Sequence, residues 1–183
     1  MSATRVTWRD ALEMPEDGNR YEAIGGELYV SPPPKPPHQW VIANLFQELS
    51  DLLVRPGWGR LFCAPIGVEF AETEEGVQPD LLFVSNERLH IVTEDAIRGA
   101  PDLVIEVLSP RTARRDRTVK RQLYQRHGVA EYWVVDLEAK QVEVWRFAAG
   151  MTEPERYVEV VPVRLGGRQI GEIPLSRIFD WPG

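Results

Sequence analysis

The 183-residue sequence holds a single cysteine, three histidines and three lysines. Lone Cys63 excludes an intramolecular disulfide, and with no Cys or His companions at metal spacing it excludes a structural zinc site. It reads as a small interior hydrophobe. No run of about 18 uncharged apolar residues occurs, so no membrane partner is expected. The opening MSATRVTWRDALEMPEDG has no continuous apolar stretch of the kind a signal peptide needs, and the expected location is the cytoplasm. There is no Gly-x-Ser-x-Gly elbow, no Walker loop and no Gly-x-Gly-x-x-Gly, which removes the commonest hydrolase and nucleotide-binding chemistries. Long repeats, low-complexity tails and linkers are missing too. One domain over residues 1–183 is expected.

Lysine is scarce but arginine is not, and charge is uneven. The formal net charge of -7 argues against a protein that coats nucleic acid nonspecifically. Yet residues 111–126 hold Arg111, Arg114, Arg115, Arg117, Lys120, Arg121 and Arg126 against Asp116 alone. One basic segment therefore sits on an acidic body, either as a solvated helix face or as a surface for phosphates.

Apolar spacing outlines the elements. A short helix is expected over Thr7 to Met14 with Thr7 as its cap, and YEAIGGELYV reads as a hairpin turning at Gly25-Gly26. SPPPKPP then reads as an extended connector. Val41, Leu45, Leu49, Leu52 and Leu53 recur at helical spacing, so an amphipathic helix is expected from His38 to Leu53, ended by Pro56-Gly57. Short apolar runs at Leu61 to Ala64, Ile66 to Phe70, Leu81 to Val84 and Leu103 to Leu108 read as strands. After the basic segment, EYWVVD and QVEVWRF read as a hairpin through Leu137 to Lys140, with further strands at Tyr157 to Val163 and near Ile170. The fold class that follows is α/β, a mixed sheet with helices packed on it.

Two similar runs carry the chemistry: VQPDLLFVS from Val77 to Ser85 and GAPDLVIEVLS from Gly99 to Ser109. Each opens on Pro-Asp, but only the second keeps a carboxylate, Glu106, inside its apolar run. Alternation puts Asp102 and Glu106 on one face, about 13 Å apart along the strand, too far to share an ion. If the two strands are antiparallel neighbours, the start of the first lies beside the end of the second. That brings Asp80 to Glu106 and leaves Asp102 at the far end as a turn signal. A buried glutamate must be neutralised, paired or bound to a cation. It can form a salt bridge to one of the eighteen arginines, or join Asp80 in holding a divalent metal against a phosphodiester.

The helix that follows supplies a cation. At about 100° per residue, Val119, Leu123, His127, Lys120 and Tyr124 fall within one arc of roughly 140°. Arg117, Arg121, Gln125 and Arg126 fall outside it. Lys120 thus shares the apolar stripe that should face the sheet, where it can either snorkel past the core or present a compact ammonium to a site.

Taken together, VQPDLLFVS, GAPDLVIEVLSP, RRDRTVKRQLYQRHGVAEYWVVD and YEAIGGELYVSP resemble the bacterial restriction endonuclease domain family (the Uma-two group) of the PD-(D/E)XK nuclease superfamily, over roughly residues 20–146. The resemblance implies a restriction-endonuclease-like core with an antiparallel meander flanked by helices and extra N- and C-terminal strands. It implies Asp80 and Glu106 as ligands of Mg²⁺ or Mn²⁺, with the carbonyl of Val107 as a third. Leu108 stands where the superfamily usually has its lysine, and Lys120 is the position that matches in this family. Glu27 matches the acidic residue of the family's GEL element and is a further candidate catalytic residue, although a hairpin glutamate also suits a cross-strand charge. His38 matches a histidine of the family and equally suits a polar group at a helix start.

The expectation is a metal-dependent endonuclease acting on DNA, with catalytic Lys120, Asp80, Glu106 and Glu27. Arg111, Arg114, Arg115, Arg117 and Arg121 would meet phosphates, and the protein would work as a homodimer. The alternatives are a catalytically inert nuclease-fold module for nucleic-acid binding or oligomerisation, and a structural protein in which an arginine neutralises Glu106.

Overall fold

The structure, a computed structural model, describes residues 5–182. Helix α1 (Trp8–Leu12) begins where Thr7 caps it: Thr7 Oγ1 accepts from the Asp10 amide, and the Asp10 carboxylate accepts from the Thr7 amide. This reciprocal box satisfies donors that a first helical turn leaves unpaired. Strands β1 (Arg20–Ile24) and β2 (Glu27–Ser31) form the expected hairpin, and Gly25 and Gly26 take the positive φ that its turn demands. The proline connector is shorter than expected. Pro36 and Pro37 form the first turn of helix α2 (Pro36–Leu49), where a missing N–H breaks no bond. That helix runs on through a π-helical turn, Ser50–Val54, which carries Leu53 into the core.

Then follow β3 (Gly59–Cys63), β4 (Val68–Phe70), β5 (Glu75–Val77), β6 (Leu81–Ser85), β7 (Ile97–Arg98) and β8 (Leu103–Val107). The basic segment folds as α3 (Ala113–Arg115), a π-helical turn (Asp116–Lys120) and α4 (Arg121–Arg126), continuous over residues 113–126. Strands β9 (Glu131–Asp136), β10 (Gln141–Arg146), β11 (Glu155–Tyr157), β12 (Val160–Leu165) and β13 (Arg168–Pro174) and helix α5 (Leu175–Ile178) complete the chain. β5 and β7 are too short for alternation to reveal them in the sequence.

A six-stranded sheet, ordered β11-β10-β9-β8-β6-β3, forms the centre. β3, β6 and β8 run antiparallel as expected, while β8 and β9 are parallel and joined by the helix 113–126. A crossover between parallel strands needs such a helix. Both faces of this sheet are covered, which is why β6 and β8 are buried along their whole length. Leu81, Phe83, Ile105 and Trp133 pack against α2 and the β12-β13 hairpin. Leu82, Val84, Val104 and Val134 pack against Leu123 and Tyr124 of the helix 113–126 and against a second sheet, ordered β2-β1-β5-β4-β7. Trp8 sits directly on β5, and only glycine at position 76 leaves room for it, since a Cβ there would stand 2.0 Å from the indole.

Candidate active site

Even-numbered residues of β6 and β8 face the helix 113–126, and this single parity decides where the acids go. The register Leu81↔Ile105 and Leu82↔Val104 continues to Asp80 beside Glu106, as the antiparallel reading requires. Both are buried. Asp102 lies at the far end, where its carboxylate accepts from the Ser85 amide at 2.7 Å.

Asp80 is held on both oxygens. Its Oδ2 accepts from the Val107 amide at 2.8 Å and stands 3.3 Å from His38 Nε2, while its Oδ1 accepts from Arg20 Nη1 at 2.6 Å. Burial opposes its ionisation, but the His38 bond, the Arg20 charge and the Val107 amide outweigh that and hold its pKa down at about 2. His38 Nε2 also lies 2.7 Å from the Val107 carbonyl oxygen, which can only accept, so Nε2 carries the proton and donates. Its Nδ1 is buried without a partner. Burial pulls the His38 pKa down, and Asp80 with the Val107 carbonyl raises it on balance.

Glu106 Oε1 accepts from Lys120 Nζ and from Tyr124 Oη, each at 2.8 Å. Lys120 reaches it because it lies on the apolar stripe of its helix, with only 2 % of its surface exposed. The ammonium is shared: Glu22 Oε1 on β1 also stands 2.8 Å away. Burial, together with Asp80, Asp116 and Glu22, pushes the Glu106 pKa up to about 8 despite Lys120. Burial works against a charged Lys120, and Glu106, Glu22 and Asp116 override it to raise its pKa. One ammonium cannot neutralise all three acids, so Glu106 retains a proton.

Glu22 and Arg20 are residues that sequence reasoning missed. Glu22 also accepts from the Gln78 amide at 2.9 Å, tying β1 to the turn before Asp80, and its Oε2 is 3.5 Å from Arg115 Nη2. The signal was present: like Glu106, Glu22 is a lone carboxylate in an apolar run, YEAI. Glu27 does not join the cluster. It sits exposed at the hairpin end and accepts from Tyr29 Oη at 2.9 Å, because β1 rather than β2 borders β5 and the site.

The basic segment is less open than expected. Arg115 is bonded to Ser31 Oγ at 2.6 Å and lies over the Tyr29 ring. Arg117 is clamped by Glu143 and Asp136 of the β9-β10 hairpin. Arg121 stacks on Trp145 and bonds to Gln125. Of Arg111, Arg114, Arg115, Arg117 and Arg121 only Arg111 and Arg114 are exposed, because the sheet beneath offers carboxylates and aromatic rings that capture the others.

Among the described residues, no three His, Cys, Asp or Glu side chains stand at metal-holding geometry. The set that fits a hard divalent ion is smaller, namely the carboxylates of Asp80 and Glu106 with the Val107 carbonyl. Four acidic side chains, Glu22, Asp80, Glu106 and Asp116, meet three permanent cations, Arg20, Arg115 and Lys120, and the proton on Glu106 makes up the balance. A hard divalent ion could take the place of that proton.

A mixed sheet with helices on its faces and paired acids at the β6-β8 junction is the architecture of a nuclease-like fold. The chain belongs to the Uma2 family, described as "Putative restriction endonuclease", whose model matches residues 8–171. It is also similar to a crystal structure titled a putative nuclease belonging to DUF820 from Anabaena variabilis. That likeness has a TM-score of 0.77 at 22% sequence identity and covers 96% of this chain and 98% of the other. No curated protein matches the chain. No helix among the described residues is long and apolar enough to cross a membrane.

Proposed function

We propose that this protein is a metal-dependent endonuclease that hydrolyses phosphodiester bonds of DNA. The observation that carries the reading is the buried pair Asp80 and Glu106 side by side at the β6-β8 junction, with Asp80 bonded to the Val107 amide and Lys120 bonded to Glu106. Asp80, Glu106 and the Val107 carbonyl would hold Mg²⁺ or Mn²⁺, which would supply a bound water of lowered pKa and a charge to polarise a phosphoryl oxygen. Lys120 acts as a fixed positive charge rather than as a proton acceptor, since its pKa is raised. An ammonium in a water-poor site stabilises negative charge as it develops on phosphate. Exposed Arg111 and Arg114 offer contacts to flanking phosphates. Two copies acting together would cut both strands, and the cytoplasm is where we expect a DNA substrate.

The test is cleavage of DNA in Mg²⁺ or Mn²⁺ by the wild type and by Asp80→Asn, Glu106→Gln and Lys120→Met. Each substitution is expected to lower the rate about a hundredfold or more. Wild-type rates in the Asp80→Asn protein would sink the mechanism. A second reading, an inert module that binds nucleic acid, is favoured by one feature: Arg20 and His38 both engage Asp80. Salt-sensitive DNA binding with no metal-dependent turnover, unchanged in Lys120→Met, is its signature.

A further inference from the structure

Arg20 stands apart from the other cations of the site. Lys120 is shared by Glu22 and Glu106, and Arg115 is pinned by Ser31 and Tyr29. Arg20 is directed at one carboxylate, Asp80 Oδ1, with its Nη1 also 3.3 Å from the Gln78 carbonyl. Of the three groups on Asp80, the Val107 amide is main chain and His38 is anchored to the Val107 carbonyl. Arg20 is long and its side chain is 18% exposed, more than that of His38. It is the partner best able to leave.

We propose that Arg20 is the phosphate-binding residue of this site: it guards Asp80 in the metal-free protein and turns to a phosphate once Asp80 holds a divalent ion. This rests on the metal-dependent reading above. The charges of the site support it. With a divalent ion bound and all four acids ionised, Arg20, Arg115, Lys120 and the ion carry five positive charges against four negative ones, an excess of one. One phosphodiester carries the charge that restores balance. Arg20 is then the surplus cation, and a planar guanidinium fork is suited to two phosphate oxygens.

Loss of Arg20 should have two effects of opposite sign, both read without cleavage. Calorimetric Mg²⁺ titrations are compared with and without inorganic phosphate, for the wild type and for Arg20→Met, with circular dichroism to report folding. In the wild type, phosphate is expected to tighten Mg²⁺ binding. Without phosphate, Arg20→Met is expected to bind Mg²⁺ more tightly, by up to about fivefold, because no guanidinium competes for Asp80. With phosphate, the variant is expected to lose the enhancement. Arg20→Lys keeps the competing charge but not the fork. It is expected to match the wild type without phosphate and to lose much of the enhancement, and it carries the test if Arg20→Met does not fold. Phosphate enhancement kept at full strength in either folded variant, or Mg²⁺ affinity unchanged in Arg20→Met, overturns the role of Arg20 alone. A wild type that binds no Mg²⁺ in either condition overturns the metal reading and this inference with it.

Discussion

Glu106 is kept in an apolar strand by an ammonium, a phenol and its own raised proton affinity acting together. Its folded pKa of about 8 lies above the ordinary 4.5, so the folded protein holds an extra proton between those values. Stability of the metal-free protein should therefore fall as pH rises through that window, by up to about 1.4 kcal/mol per pH unit. His38, also raised, contributes stability that is present below 6.5 and lost as pH rises through its folded pKa, a change of the same sign. Urea unfolding from pH 5 to pH 8 measures the slope, and Glu106→Gln is expected to flatten it. Equal slopes in the two proteins would contradict the assignment. At this scale the sequence was legible where a residue broke a pattern: Glu106 in LVIEV and Lys120 on an apolar stripe. Glu22 broke its pattern in the same way. Arg20 gave no comparable sign, since an arginine before an apolar run is ordinary.

The elements were legible where periodicity is long. Helix α2, the β9-β10 hairpin and the inward arc of residues 113–126 follow from spacing alone. The misplaced features are those set by contacts. Pro36 and Pro37 join α2 because a helix start lacks amide partners anyway, and Glu27 is passed over because β1 is the strand that borders β5. The packing of α1 on the second sheet gives a direct check. Gly76→Ala puts a Cβ within 2.0 Å of the Trp8 indole. Forcing the two apart should cost about 1–3 kcal/mol, seen as a lower urea midpoint with an unchanged m-value. A midpoint equal to that of the wild type would mean that Trp8 moves aside freely.

Across the whole molecule, buried acids of two kinds set the pH range. Glu75 ties the second sheet to the end of α4. Its pKa is opposed by burial but held at about 2 by Arg126, His127, the Gly25 amide and Thr73. Asp80 is held at about 2 as well. Their contributions are present above the unfolded values of 4.5 and 3.8 and are lost as pH falls toward 2. Glu106 acts in the opposite sense above 4.5. The metal-free protein should thus be most stable on the acid side of neutrality, at about pH 5, as read from melting temperature against pH. Adding Mg²⁺ at a hundred times its Kd should raise stability at pH 8 by about 2.7 kcal/mol. No rise at any Mg²⁺ concentration would count against the site.

By itself, the sequence determined the mixed α/β class, the separation along one strand that rules out Asp102 as the partner of Glu106, and the inward face of Lys120. These rest on alternation and helical pitch, which are local and periodic. Only the tertiary structure decided that Glu22 shares Lys120, that Arg20 and His38 hold Asp80, and that Arg115, Arg117 and Arg121 are captured. Those pairings join residues tens of positions apart in the chain, and no periodicity carries that information. It comes from which strands become neighbours when both faces of one sheet are buried.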